Sequence, residues 1–242
     1  MPLTTSSDAS HPDPDALERL AAGVGHRFAD QSLLIRAMQH RSWQAENDAP
    51  DSNERLEFLG DAVLGWVVAD VAYGAFTDLP EGRLTDLRKS VVNASALATL
   101  ARRVHLGPAL LLGKGEDAAG GRDKTSILSD AFEAVIGAMY LDAGPQVAYE
   151  KVKSLLLPEM QRALPHIDRL DAKTVLQERA ARLGHAAPRY EIDSSGPDHA
   201  KHFVATVTVG AVSAVGEGPS KKVAEQQAAE MALDRLPEPS EG

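Results

Sequence analysis

A change of hydrophobic period near residue 164 constrains this chain more than any other feature. From Ala16 to Ala163, apolar residues recur every three to four positions. Examples are "DALERLAAGV", "QSLLIRAMQHRSW", "RLTDLRKSVVNASALATLARRV", "TSILSDAFEAVIGAMYLDAG" and "VAYEKVKSLLLPEM". That is the spacing of helices burying one stripe, so residues 16–163 are expected to be all-α. Asp30 and Ser126 stand where N-caps are wanted, and Gly144-Pro145 reads as a helix stop. The stretch 164–171, "LPHIDRLD", reads as a short linker, with Pro165 ending the preceding helix.

Beyond it the period drops to two. "AKTVLQERAARLG" is a helix closed by Gly184, after which "PRYEID", "HFVATVTVG" and "VSAVGEG" alternate apolar and polar residues, as half-buried strands do. "SKKVAEQQAAEMALDRL" closes the pattern as an amphipathic helix, with Ser220 at its start and Val223, Ala224, Ala228, Met231 and Leu236 on its apolar side. Residues 172–236 are therefore expected to form an α-β-β-β-α module, a second domain. The polar, proline-rich residues 1–15 are expected to be a disordered tail, and 237–242 a short second tail.

Charge is distributed unevenly between these parts. The chain has 25 Lys and Arg against 35 Asp and Glu, a net charge of −10. Residues 1–171 carry 17 basic against 25 acidic residues, whereas 172–236 carry 8 of each. The acidity belongs to the helical part, and the small module remains free to present a local basic surface. The absence of cysteine excludes disulfides and thiolate metal sites, which makes the cytoplasm the expected compartment. The N-terminus, "MPLTTSSDASHPDPDALERL", lacks the basic and then apolar order of a secretory signal. No apolar stretch is expected to span a bilayer, so no membrane partner is anticipated.

Within the helical part, "NERLEFLGDAVLGWVV" (residues 53–68) contains an oddity. At 100° per residue, Leu56, Leu59 and Val63 form an ordinary core stripe, while Glu54, Glu57 and Asp61 converge on the opposite side. Phe58, Leu64 and Val68 flank the acids, which repel one another at these spacings. A second acidic pair, Asp130 and Glu133, lies at i, i+3 in the apolar "SDAFEAVIGAMYLDAG". Facing helices that each present carboxylates are how helical proteins build divalent-metal sites. All-oxygen ligation favours Mg²⁺ or Mn²⁺ over zinc, and a metal-bound water could act as nucleophile. The competing reading is two solvated acidic faces.

Other motifs are weaker. "GKGEDAAGGRDKTS" is not a Walker A loop, since Asp123 rather than Gly precedes Lys124, and it is expected to be a flexible glycine-rich loop. His40, His105 and His166 are scattered and fit surface or capping roles. "GEGPSKK" places Gly216, Gly218, Ser220, Lys221 and Lys222 at the start of a helix, an arrangement suited to phosphate. A merely solvated helix end is the alternative there.

Taken together these residues resemble bacterial ribonuclease III. "NERLEFLGD" matches that family's nine-residue motif, "SDAFEAVIGAMYLD" its second acidic motif, "HRSW" its early His-x-Ser-aromatic segment, and "PEGRLTDLR" the helix start between them. "KTVLQERAARLG", "GPDHAKHF" and "GEGPSKKVAEQQAA" are similar to the three contact regions of a double-stranded-RNA-binding domain. Trp43, where Tyr is common, and "ENDAPDS", in place of a glycine-rich loop, are small departures that leave the acids untouched.

The resemblance implies an all-helical endonuclease domain followed by the α-β-β-β-α RNA-binding domain. It also implies a homodimer that cuts duplex RNA with Mg²⁺ (Mn²⁺ able to substitute), leaving 5′-phosphate and 3′-hydroxyl ends with a short 3′ overhang. Glu57, Asp61, Asp130 and Glu133 would hold the metal. Asp61 and Glu133 would carry the catalysis, supported by Glu54, and Phe58 would pack across the dimer. Thr174, Gln177 and Glu178 would face one minor groove and His199 the next, while Ser220, Lys221 and Lys222 hold the phosphates between them. The rivals are a non-catalytic duplex-RNA-binding protein with a degenerate nuclease domain and a di-metal carboxylate oxidase or hydrolase. All four acids are present, against the first, and no Glu-x-x-His pair occurs in either acidic helix, against the second.

Overall fold

Two apolar helices, α4 (Glu54–Ala75) and α8 (Thr125–Ala163), cross to form the spine of the first of two units. The computed structural model describes residues 12–167, 172–197 and 201–237. The units are residues 1–163 and 164–242.

Around the spine lie α1 (Pro14–Gly23), α2 (Gln31–Ala37), α3 (Arg41–Asn47), α5 (Glu81–Val91), α6 (Ala94–Arg103) and the short α7 (Lys114–Ala118). α1 opens two residues inside the stretch expected to be a tail. Asp13 accepts a hydrogen bond from the Asp15 N–H and Pro14 occupies the first turn, where its missing N–H costs nothing. Ala16 and Leu20 then anchor the helix in the core. Asp30 caps α2 by accepting from the Ser32 N–H at 2.9 Å.

"QSLLIRAMQHRSW" is two helices rather than one. The Met38 carbonyl accepts from the Leu111 N–H at 2.9 Å and the His40 N–H donates to the Leu111 carbonyl at 3.1 Å, a parallel bridge centred on Gln39 and Leu111. Backbone groups committed to a strand-like bridge cannot also serve a helix. His40 restarts the helix as the N-cap of α3, its ring accepting from the Ser42 N–H.

α4 is, by length and composition, apolar enough to cross a bilayer, contrary to the sequence expectation. Leu56, Val63, Leu64, Val67, Val68, Val71 and Ala72 are buried inside the unit, as a core helix requires. Leu64 and Val68, expected as flanks of the acids, are therefore core. α8 is interrupted where a stop was expected: Gly144 has φ 80° and ψ 175°, and Pro145 starts the next segment. The helix resumes and runs on to Ala163, so the signal marks a kink and not an end.

The loop expected to be flexible is pinned. Arg122 pairs with Asp117 at 2.8 Å and donates to the carbonyls of Pro108 and Leu110, at 3.2 and 2.8 Å. Arg102 holds Asp123 at 2.6 Å. One guanidinium has five donors, enough to fasten several strands of chain.

In the second unit, α9 (Ala172–Arg182) and α10 (Lys221–Leu233) cover one face of an antiparallel sheet ordered β1 (Arg189–Ser195), β2 (His202–Val209), β3 (Val212–Gly218). Tyr190 pairs with Val207, and Val207 with Ala214, so these side chains share the helix-covered face. Ala224, Ala228, Ala229 and Ala232 line the underside of α10. Val223 and Met231, expected on its apolar side, are partly exposed, because alanines let the helix sit close on β3. Gly216 and Gly218 belong to β3 and not to a phosphate-binding turn. A Cβ on Gly216 would overlap the Ala224 carbonyl and the Ala228 N–H.

The α1–α2 connection is clasped to α8 through Asp142, whose side chain is 3% exposed. It meets His26 Nε2 at 2.7 Å and accepts from the N–H groups of Asp30 and Ala29, at 2.8 and 3.1 Å. Burial alone would raise this carboxyl, but the three hydrogen bonds outweigh it and hold it below 3.8. A depressed acid contributes stability that is complete above its unfolded value and fades as the pH falls through the folded one. Asp142→Asn is therefore expected to lower the melting temperature at pH 7, with the difference shrinking as the pH falls through the acid range in which the native carboxylate is itself protonated. A constant difference across that range, measured by thermal melts, would contradict this.

Candidate active site

α4 is aimed by its first residues. Asn53, buried, donates its backbone N–H to the Gln39 carbonyl at 2.8 Å and its side-chain amide to the Ala37 carbonyl at 3.4 Å. It ties the start of the helix to the α2–α3 bridge, which is itself fixed on Leu111. Ser52 accepts from the Glu54 N–H at 3.3 Å and donates its hydroxyl to a Glu54 carboxylate oxygen at 2.8 Å. Glu54 is thus both exposed and held in place.

One and two turns further on, α4 meets α8 backbone to backbone. A Cβ on Gly60 would overlap the Glu133 carbonyl oxygen, and one on Gly137 would overlap the Leu56 carbonyl oxygen. Two glycines, one on each helix, allow this approach. Gly60 lies between Glu57 and Asp61, and Gly137 one turn after Glu133. The acids consequently flank the point where the helices are nearest. The functional weight of these two glycines was not read from the sequence; the available signal was a small residue in each apolar helix, beside each acidic pair.

Electrostatics records the convergence. Glu133, half-buried, has its carboxyl pushed up to about 7, first by burial and then by Asp61, Glu57 and Asp130. Burial likewise raises Glu57, helped by Asp130, Glu54 and Asp61, with Arg41 pulling in the opposite direction. All five sequence-derived acids therefore share one electrostatic neighbourhood. Among the described residues no three acidic or histidine side chains close on a common point as a ready-made cage. An open set of carboxylates suits a small hard cation, which keeps several of its waters and completes its shell with substrate oxygens. The all-oxygen donor chemistry fits such an ion. His40 is a helix cap, as expected, and burial lowers its ring below the usual histidine range.

Phe58 is 81% exposed, with Leu141 53% exposed beside the same apolar recess. In the second unit Thr174, Gln177 and Glu178 are exposed together on α9. Ser220 caps α10 by accepting from the Val223 N–H at 3.3 Å, leaving Lys221 and Lys222 exposed on the first turn. His199 lies outside the described residues.

Comparison with known proteins fits this architecture part by part. Residues 30–160 match the family described as ribonuclease-III-like, and 172–236 the double-stranded RNA binding motif. The chain is 52% identical over 214 residues to ribonuclease 3 of Streptomyces coelicolor, covering 88% of this chain and 77% of that one. It is 53% identical over 220 residues to ribonuclease 3 of Thermobifida fusca, covering 90% and 91%. The first unit resembles the solved nuclease domain of ribonuclease III from Campylobacter jejuni, at 40% identity and a TM-score of 0.53, over 62% of this chain and 99% of that one. A helical nuclease domain joined to a duplex-RNA-binding module defines the class, an endoribonuclease specific for double-stranded RNA. The chain belongs to the ribonuclease III family.

The crossing generates a test. Gly60→Ala should destabilise the protein by about 1–3 kcal/mol through overpacking. Cleavage should fall by about a hundredfold, because a shift near 1 Å in the acids is enough for that. Denaturant titration and single-turnover cleavage measure both, and a fully active, fully stable variant would refute the close crossing.

Proposed function

We propose that the protein hydrolyses phosphodiester bonds of duplex RNA with Mg²⁺ (or Mn²⁺) held by Glu57, Asp61, Asp130 and Glu133. The observation that carries this reading is the crowding of these acids around Glu133, whose carboxyl is pushed up to about 7 by burial and then by the charges of Asp61, Glu57 and Asp130, charges that a cation would offset. A bound divalent ion would supply charge against the phosphate and lower the pKa of the attacking water. The chain's own residues do the rest. Asn53 and Ser52 fix the start of α4, Glu54 stays held at the rim of the site, and the glycine crossing keeps Asp61 and Glu133 on one substrate phosphate. Products with 5′-phosphate and 3′-hydroxyl ends and a short 3′ overhang follow from the family resemblance. The same resemblance suggests processing of ribosomal RNA precursors and maturation or decay of messenger RNA. A cysteine-free chain agrees with a cytoplasmic setting.

In the second unit, Thr174, Gln177 and Glu178 are assigned to one minor groove and His199 to the next. Ser220, Lys221 and Lys222 are assigned to the phosphates between, where lysines at a helix start are unfavourable for stability but suited to anions. The experiment is a cleavage assay on long duplex RNA with and without Mg²⁺, followed by end-group analysis. Glu133→Gln should abolish cutting while duplex affinity stays near that of the wild type. Near-normal turnover by that variant in Mg²⁺ would sink the assignment.

A homodimer is the second part of the proposal, supported by Phe58 and Leu141. Two large apolar side chains stand exposed beside a recess of about 580 Å³ that includes Leu56 and Leu59. The Campylobacter nuclease domain is described with a region involved in dimer formation, which agrees with this. Phe58→Ala should weaken self-association by about 3–5 kcal/mol if the ring is fully buried in the dimer. Sedimentation of the wild type as a monomer at micromolar concentration would remove the proposal.

A further inference from the structure

The first unit must bring a polyanion onto a surface crowded with carboxylates. In the pinned loop, Lys124 holds Glu116 at 3.1 Å and Arg122 holds Asp117 at 2.8 Å. Arg41 differs. Its side chain is exposed and makes no hydrogen bond or ion pair among the described residues.

Its backbone is among the most firmly mounted near the site. The preceding residues form the Gln39–Leu111 bridge, and Gln39 also accepts the Asn53 N–H at 2.8 Å. The following residue, Ser42, accepts the Gly113 N–H on its hydroxyl at 2.9 Å and meets His40 Nδ1 at 2.8 Å. The same Asn53 contact docks α4 against this segment, and Glu57 begins its helical bonding on the Asn53 carbonyl at 2.9 Å. Arg41 therefore projects from a rigid platform two residues from the anchor of α4, and its charge is felt at Glu57 and at His40.

We infer that Arg41 is the phosphate-holding cation of the nuclease unit, clamping the RNA backbone beside the bond that is cut. A guanidinium without a protein partner has its forked donors available for two phosphate oxygens. A cation whose charge reaches Glu57 can offset the acids' repulsion of the strand without pairing with any of them. The contact carries no base information, so it positions the duplex without selecting a sequence. This inference rests on the proposed Mg²⁺-dependent cleavage at the four acids.

The test uses the intact protein, a defined duplex RNA and Mg²⁺, with steady-state cleavage followed over a salt series. Arg41→Ala should raise KM by about ten- to hundredfold, the range expected for one charge-assisted contact, and leave kcat within about threefold. The slope of log(kcat/KM) against log[salt] should become shallower by about 1, the signature of one lost phosphate contact. Arg41→Lys should keep the wild-type slope and recover most of the KM, because it retains the charge but not the fork. Thermal melts should be unchanged in both variants, since the side chain is exposed. An Arg41→Ala enzyme with wild-type KM and salt slope overturns the inference, as does a fall in kcat alone. Absence of Mg²⁺-dependent cleavage in the wild type would instead sink the reading on which it rests.

Discussion

The contact on which the nuclease unit depends is the crossing of α4 and α8 at Gly60 and Gly137. Each glycine sits in a helix interior, where it costs about 1 kcal/mol relative to alanine. That cost is offset only because the backbones meet there, with the Glu133 carbonyl against Gly60 and the Leu56 carbonyl against Gly137. Like charges on facing helices would otherwise drive them apart. The steric fit of the crossing, backed by the buried stripe of Val63, Leu64, Val67 and Val68, holds the acids together against their repulsion. The carboxyl of Glu133 is raised first by its burial at this crossing and then by the facing acids.

The remaining structure serves to aim the crossing. Asn53 ties the start of α4 to the α2–α3 bridge, the bridge is fixed on Leu111, and Ser42 fastens the next strand of chain through Gly113. This chain of hydrogen bonds makes one rigid body of segments remote in sequence. Charge follows the same division: acids concentrate at the crossing, while Lys221 and Lys222 stand exposed at the start of α10 in the other unit.

Much of this was legible in the sequence, for a physical reason. Helical and strand periods are local, so the boundary near residue 164, the caps at Asp30 and Ser220 and the three strands could be read from short windows. The acids of "NERLEFLGD" and "SDAFEAVIGAMYLD" were legible because like charges in an apolar helix need a cause. What escaped depended on partners distant in the chain. Leu111 splits the α2–α3 segment, Arg122 turns a glycine-rich stretch into a pinned loop, and close approach of α10 makes Gly216 a packing residue while leaving Val223 partly exposed. A helix wheel for α10 marks Val223 and Met231 as core because hydrophobicity alone cannot show that four alanines suffice.

Distance along the chain has a further consequence for a protein made on a ribosome. Glu57 and Asp61 leave the exit tunnel early, whereas Asp130, Glu133 and Gly137 follow only after α5, α6 and the pinned loop. Until α8 arrives, α4 has nothing to cross, and its acids are a bare negative stripe that repels nucleic acid. Because the acids are split between two distant helices, they cannot converge until α8 has been made.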